Sequence, residues 1–170
     1  MKRYFQSSLI LILLSFAVIS FAQPARVVTY ETKLKVADKA ASEGDYYGAM
    51  EWFQKAYEES KDVSLQIVIA DLQMLARDYP KAEKLYERIL KRDKKREFED
   101  IRVDYGRAFK NQGKYREALN EFNTVIADPE SDDSLKNIAK LELAGIEMME
   151  KLAPNLEAIV DILPGKVNNG

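Results

Sequence analysis

The sequence predicts an all-α fold, a solenoid of three helical hairpins closed by a degenerate capping hairpin. First, Gly44-Asp45-Tyr46, Ala49, Phe53 and Ala56 recur at the same internal spacing as Arg77-Asp78-Tyr79, Ala82, Tyr86 and Ile89. They recur again as Gly113-Lys114-Tyr115, Ala118, Phe122 and Val125. Second, the period lies in the mid-thirties, 33 residues from Ala49 to Ala82 and 36 from Ala82 to Ala118. Third, each unit is centred on a turn between two helical stretches, the signature of a repeat that stacks on its neighbours.

Taken in order, Met1-Lys2-Arg3 is a short basic start and Leu9 to Ile19 an almost unbroken apolar run. Ser20-Phe21-Ala22 then places small residues one and three positions before Gln23. This is the pattern of a secretory signal peptide, with cleavage expected after Ala22. An uncleaved anchor is the alternative, since Tyr4 to Pro24 carries no charge, but the small-residue site decides against it. Without cysteine there is no lipobox, so no N-terminal lipid anchor is expected. No integral span is expected after cleavage. The organisation predicted is a signal peptide over 1–22, a linker over 23–29, a solenoid over 30–162 and an extended tail over 163–170. Repeats are placed at about 30–63, 63–96 and 99–131, with a partial unit at 133–162.

Helices are expected over 29–43, 46–60, 63–76, 79–92, 98–112, 115–127, 133–151 and 155–161. Gly113 supplies the permissive backbone at which one helix stops and the next begins. Pro80 suits the first turn of the fourth helix. The longer spacing to the third unit leaves Lys94-Lys95-Arg96 as a basic, solvent-facing loop. Lys91-Arg92 beside it complement a helix C-terminus, and the whole stretch is a weaker candidate for a phosphate or acidic lipid. Asp128-Pro129 closes the sixth helix, and Asp132-Asp133-Ser134 caps the seventh. There Leu141, Ala144, Gly145 and Met148 reproduce first-helix spacing. Beyond Pro154 a short helix fits before Pro164-Gly165.

Composition narrows the function classes. The chain has 170 residues, 46% of them apolar, enough for one domain with a modest core. Lys and Arg number 26 against 28 Asp and Glu, and removal of Lys2 and Arg3 leaves 24 against 28, about four net negative charges. Nucleic acid is not an expected partner. With no His and no Cys, the usual zinc ligands, thiol nucleophiles and neutral-pH proton carriers are missing. No Ser has a Lys three residues later and no Gly-rich phosphate loop occurs. Adjacent acids such as Glu58-Glu59 point away from each other on a helix and read as solvated charges. No catalytic residue, metal site or cofactor is expected, and an enzyme using carboxylates or Lys is the less favoured class. The twelve aromatics from Tyr46 onward read mainly as core, Trp52 apart.

The run Tyr105-Gly106-Arg107-Ala108-Phe109, then Gln112-Gly113-Lys114-Tyr115 and Ala118, resembles the tetratricopeptide repeat. Small residues at Gly106 and Ala118 fit where the two helices approach most closely. Against that pattern, Lys33 replaces an apolar residue in unit one, while Gln73 replaces an aromatic and Arg77 the turn Gly in unit two. The resemblance implies a right-handed superhelix, non-enzymatic, that binds a protein or peptide on the concave side formed by the first helices. Carried over by position, the groove comprises Leu34, Asp38 and Ala41, then Ile67, Asp71, Met74 and Leu75, then Val103, Arg107, Lys110 and Asn111. An apolar middle and a basic end suit a peptide with hydrophobic anchors and an acidic terminus. The paired Lys and Arg clamp of the carboxylate-binding subclass is missing, which argues against a chaperone tail.

A signal peptide ending Ala-Gln, three repeats, the segment Leu143 to Ile146 and a final Val167-Asn168-Asn169 also resemble the N-terminal module of PorE-like envelope proteins of Bacteroidota. That resemblance implies a periplasmic or outer-membrane-associated scaffold, linked to type IX secretion. Peptidoglycan binding belongs to a different module of that family and is not implied. Two alternatives are an N-terminal fragment of a larger peptidoglycan-associated protein and a self-associating module, in which an incomplete last repeat leaves Met148-Met149-Leu152 exposed for a second copy.

Overall fold

The computed structural model describes residues 28–162; the expected signal peptide, all but the end of the linker and the tail at 163–170 lie outside the described residues. Seven α-helices are present among the described residues, with no strand. They are α1 (Tyr30–Ser42), α2 (Tyr46–Ser60), α3 (Val63–Leu75), α4 (Tyr79–Arg92), α5 (Arg102–Lys110), α6 (Tyr115–Ala127) and α7 (Asp133–Ile162). A short 3-10 turn, Glu99–Ile101, leads into α5. Each helix packs on the next in sequence, and α7 also touches α5.

Helix starts follow from capping. Thr29 accepts from the Thr32 N–H at 3.3 Å, Asp45 from Gly48 at 2.9 Å, and Asp62 from Ser64 at 2.9 Å. Asp132 does the same for α7, accepting from Ser134 at 2.7 Å. Such side chains satisfy backbone donors that the first helical turn leaves unpaired. At α4, Asp78 makes no such bond and Pro80 occupies the first turn instead.

The three hairpin turns share one backbone conformation. Gly44, Arg77 and Gly113 have φ of 82°, 59° and 74°. In each hairpin the next residue's N–H reaches back to a carbonyl of the preceding helix: Asp45 to Ala40 at 2.9 Å, Asp78 to Gln73 at 2.8 Å and Lys114 to Phe109 at 3.0 Å. This closure requires a left-handed residue in the middle, which glycine adopts freely and Arg77 only with strain.

Small residues let the helices approach. Ala37, Ala49, Ala70, Ala82, Ala108 and Ala118 are completely buried. A methyl group on Gly106 would lie 2.6 Å from the fully buried Phe122 ring. Of the aromatics among the described residues, Phe53, Tyr86, Tyr105, Phe109 and Phe122 are buried, and only Tyr47 is strongly exposed. Trp52 is half-buried against the core, with the Lys55 ammonium 4.2 Å from its ring centre.

Two boundaries differ from expectation. The helix expected over 98–112 is a 3-10 turn followed by the shorter α5. Asp93 organises the approach to it by accepting from the N–H groups of Glu97 and Phe98 at 3.0 and 2.7 Å. The expected break at Pro154 does not occur, and α7 runs through it as one helix rather than as helices over 133–151 and 155–161. Proline forfeits one backbone donor, and the turns on either side can still close. The cap thus rests on α7, which buries Ala139 and Ile146 against the third hairpin.

Candidate protein-binding groove

Three of the first helices, α1, α3 and α5, supply the eleven residues expected to face a partner. Asp38, Asp71, Leu75 and Asn111 are exposed, and Leu34, Ala41, Ile67, Met74, Arg107 and Lys110 are half-buried. Leu75 is 60% exposed, a large apolar side chain with no packing role. Val103 is the exception: only 2% exposed, it belongs to the core and cannot contact a partner.

The basic end is not free. Arg107 Nε donates to Glu142 Oε1 at 2.7 Å and Nη1 donates to Asp104 Oδ1 at 2.9 Å. Lys110 Nζ donates to the second oxygen of Glu142. Burial alone would raise the Glu142 carboxyl, but the hydrogen bonds from Lys110 and Arg107 outweigh it and hold the group below its usual range. Glu142 was not foreseen. It lies 35 residues after Arg107, and the packing of α7 on α5 brings the two together.

In the middle of the groove Tyr86, fully buried on α4, donates its hydroxyl to Asp71 Oδ1 at 2.5 Å. Burial and then the Asp71 carboxylate push the Tyr86 hydroxyl far above its ordinary range, so it remains a donor at any physiological pH. Burial also raises the Asp71 carboxyl; the Tyr86 bond opposes this, and the nearby charges of Asp104 and Asp100 add to it. Among the described residues no cation pairs with Asp38, Asp71 or Asp100.

The basic linker has a structural task as well. Arg96 is held by Asp128 and Glu130 of the α6–α7 connection, stapling one inter-repeat loop to the next. Lys94 and Lys95 remain at the rim of a cavity of about 330 Å³ floored by Tyr57, Val63, Ile89 and Phe98. Among the described residues no group of three or more acidic, His or Cys side chains could hold a metal ion, and no helix is long and apolar enough to cross a membrane.

No protein-family model matches the sequence, and no curated protein matches it. Solved structures do. One is the complex of the TPR2AB domain of yeast Sti1 with pHSP90, at a TM-score of 0.56 and 15% identity over 69% of this chain. The match spans about half of the Sti1 chain, 48%. At that identity the likeness speaks to fold alone, and it agrees with the shared turns and buried small residues: the chain folds as a tetratricopeptide-repeat superhelix.

Proposed function

We propose that this chain is an exported, non-enzymatic scaffold whose concave face holds a segment of another protein of the cell envelope. The observation that carries the reading is the row of first helices that present Leu34, Ile67, Met74 and the exposed Leu75 beside charged residues. Apolar side chains on such a face, rimmed by charge, are what a docked segment buries. The Sti1 domain of like fold is itself in complex with pHSP90. Export is supported by the basic start, apolar run and small-residue site of residues 1–22. The PorE-like order of segments supports a periplasmic or outer-membrane assembly, such as type IX secretion, as the setting.

The test is site-specific photo-crosslinking in intact cells, with the probe at Leu75 in the groove or at Glu58 on α2. Crosslinks to one envelope protein from position 75 and none from 58 are expected, on a chain whose mass starts at Gln23. Crosslinks from position 58 alone would remove the groove assignment, and a mass starting at Met1 would remove the cleavage.

A second reading is self-association through α7. Leu141, Met148, Met149 and Leu152 are 73%, 63%, 46% and 44% exposed, and a side chain on Gly145 would meet nothing within 4 Å. Sedimentation at several concentrations separates a dimer from a monomeric adaptor.

A further inference from the structure

We propose that the groove selects a basic partner, an extended segment of another protein in which Lys or Arg side chains alternate with apolar residues. This rests on the concave face being the binding surface, and it reverses the charge that Arg107 and Lys110 suggest when read from sequence alone.

An acidic ligand finds no free cation in the basic part of the groove. Both oxygens of Glu142 are engaged, one by Arg107 and the other by Lys110, while Arg107 also holds Asp104. A ligand carboxylate there would have to displace Glu142 and would then lie beside two fixed negative charges. Like charges brought together on a partly desolvated surface oppose binding.

A basic ligand meets the opposite situation. Asp38 and Asp71 stand 33 residues apart at matching positions of α1 and α3, and Arg107 follows 36 residues later on α5. Repeat position assigns to this face the carboxylates of Glu31, Asp38, Asp71, Asp100 and Asp104, joined by Glu142, and the cations Lys35, Arg107 and Lys110. Arg107 and Lys110 are already paired, and toward α1 and α3 the acids Glu31, Asp38 and Asp71 outnumber the one cation, Lys35. Asp71 is held in place there: the buried Tyr86 hydroxyl fixes one oxygen, and the other has no hydrogen-bond partner among the described residues. A Lys or Arg approaching that oxygen would gain a charge-assisted bond and relieve the mutual repulsion of Asp71, Asp104 and Asp100. Next to these acids, Ile67, Met74 and Leu75 offer apolar purchase on the same helix. Asp71 thus stands between Ile67 and Met74 on α3, an acid set in apolar surface, which an amphipathic basic segment complements and an acidic one does not.

The probe is a library of random twelve-residue peptides displayed on phage, selected on the immobilised chain. Enriched peptides are expected to carry more Lys and Arg than Asp and Glu, interspersed with apolar residues. The best of them, fluorescein-labelled and followed by anisotropy, should bind about tenfold more weakly to the Asp38→Asn, Asp71→Asn double variant. Asparagine keeps an acceptor for Tyr86, so the fold is retained and a thermal melt verifies it. Glu58→Gln with Glu117→Gln removes the same charge from the second helices and should leave affinity unchanged. Enrichment of acidic or neutral peptides that bind the groove would overturn the basic preference while leaving the groove reading intact. Peptides insensitive to both the Asp pair and a Leu75→Lys substitution would overturn the groove reading itself, and this proposal with it.

Discussion

At its hairpin turn the second repeat strains Arg77 to a φ of 59°, where the third places Gly113 at 74°. Where the third packs Phe109 against Tyr105, ring centres 4.6 Å apart and planes tilted by 49°, the second has Gln73, whose buried side-chain oxygen has no partner among the described residues. On the concave face the second presents Asp71 without a cation, and the third presents Arg107 paired twice. The third repeat is thus the better packed, and it is also the one locked to the capping helix through Glu142. The lesson is a division of labour: the third repeat and α7 hold the superhelix together, while the less compensated second repeat is where the proposed partner would dock.

That comparison breaks most strongly at Gly106. Valine there would drive its side chain into the buried Phe122 ring, and the variant should lose about 3 kcal/mol in urea unfolding. A loss below about 1 kcal/mol would show that the third hairpin is not as tightly closed as the comparison requires.

A smaller effect is expected from Glu142→Gln, about 1 kcal/mol, because the Arg107 side chain it pairs with is 37% exposed and solvent screens the pair. The pH dependence gives this variant its signature. Glu142 lies below its ordinary value of 4.5, so its contribution is present above that value and lost as pH falls through the lowered one. Asp71 lies above its ordinary value of 3.8, so the strain of keeping it ionised is absent below that value and sets in as pH rises through the raised one. Acidification should therefore loosen α7 from α5 first, read as faster amide exchange in those helices than in α3. In Glu142→Gln that acid-linked loosening should shrink.

The smallest change tests the turn. Arg77→Gly should raise stability by about 0.5–1 kcal/mol, since glycine adopts the left-handed conformation without strain. No gain would mean that the turn of the second repeat is as relaxed as that of the third.

Much of this was legible in advance. The turn residues Gly44, Arg77 and Gly113 and the small residues Ala49, Ala82 and Ala118 placed the hairpins, because turn chemistry and close approach depend on residue type at a fixed spacing. Helices α2, α4 and α6 start and end where expected. The groove was legible only as a set of positions. Val103 left it because its side chain packs into the core, and Glu142 entered it because α7 lies alongside α5. Both depend on how elements pack and neither on local pattern.

By itself the sequence determined the architecture: three repeats, their turns, their aromatic core and the first helices that line one face, all consequences of short-range spacing. It also placed Arg107 and Lys110 on that face. Whether those cations are free to meet a partner was decided only by tertiary structure, because charge on a surface is set by what stands within a few ångströms, and Glu142 arrives there from more than thirty residues away.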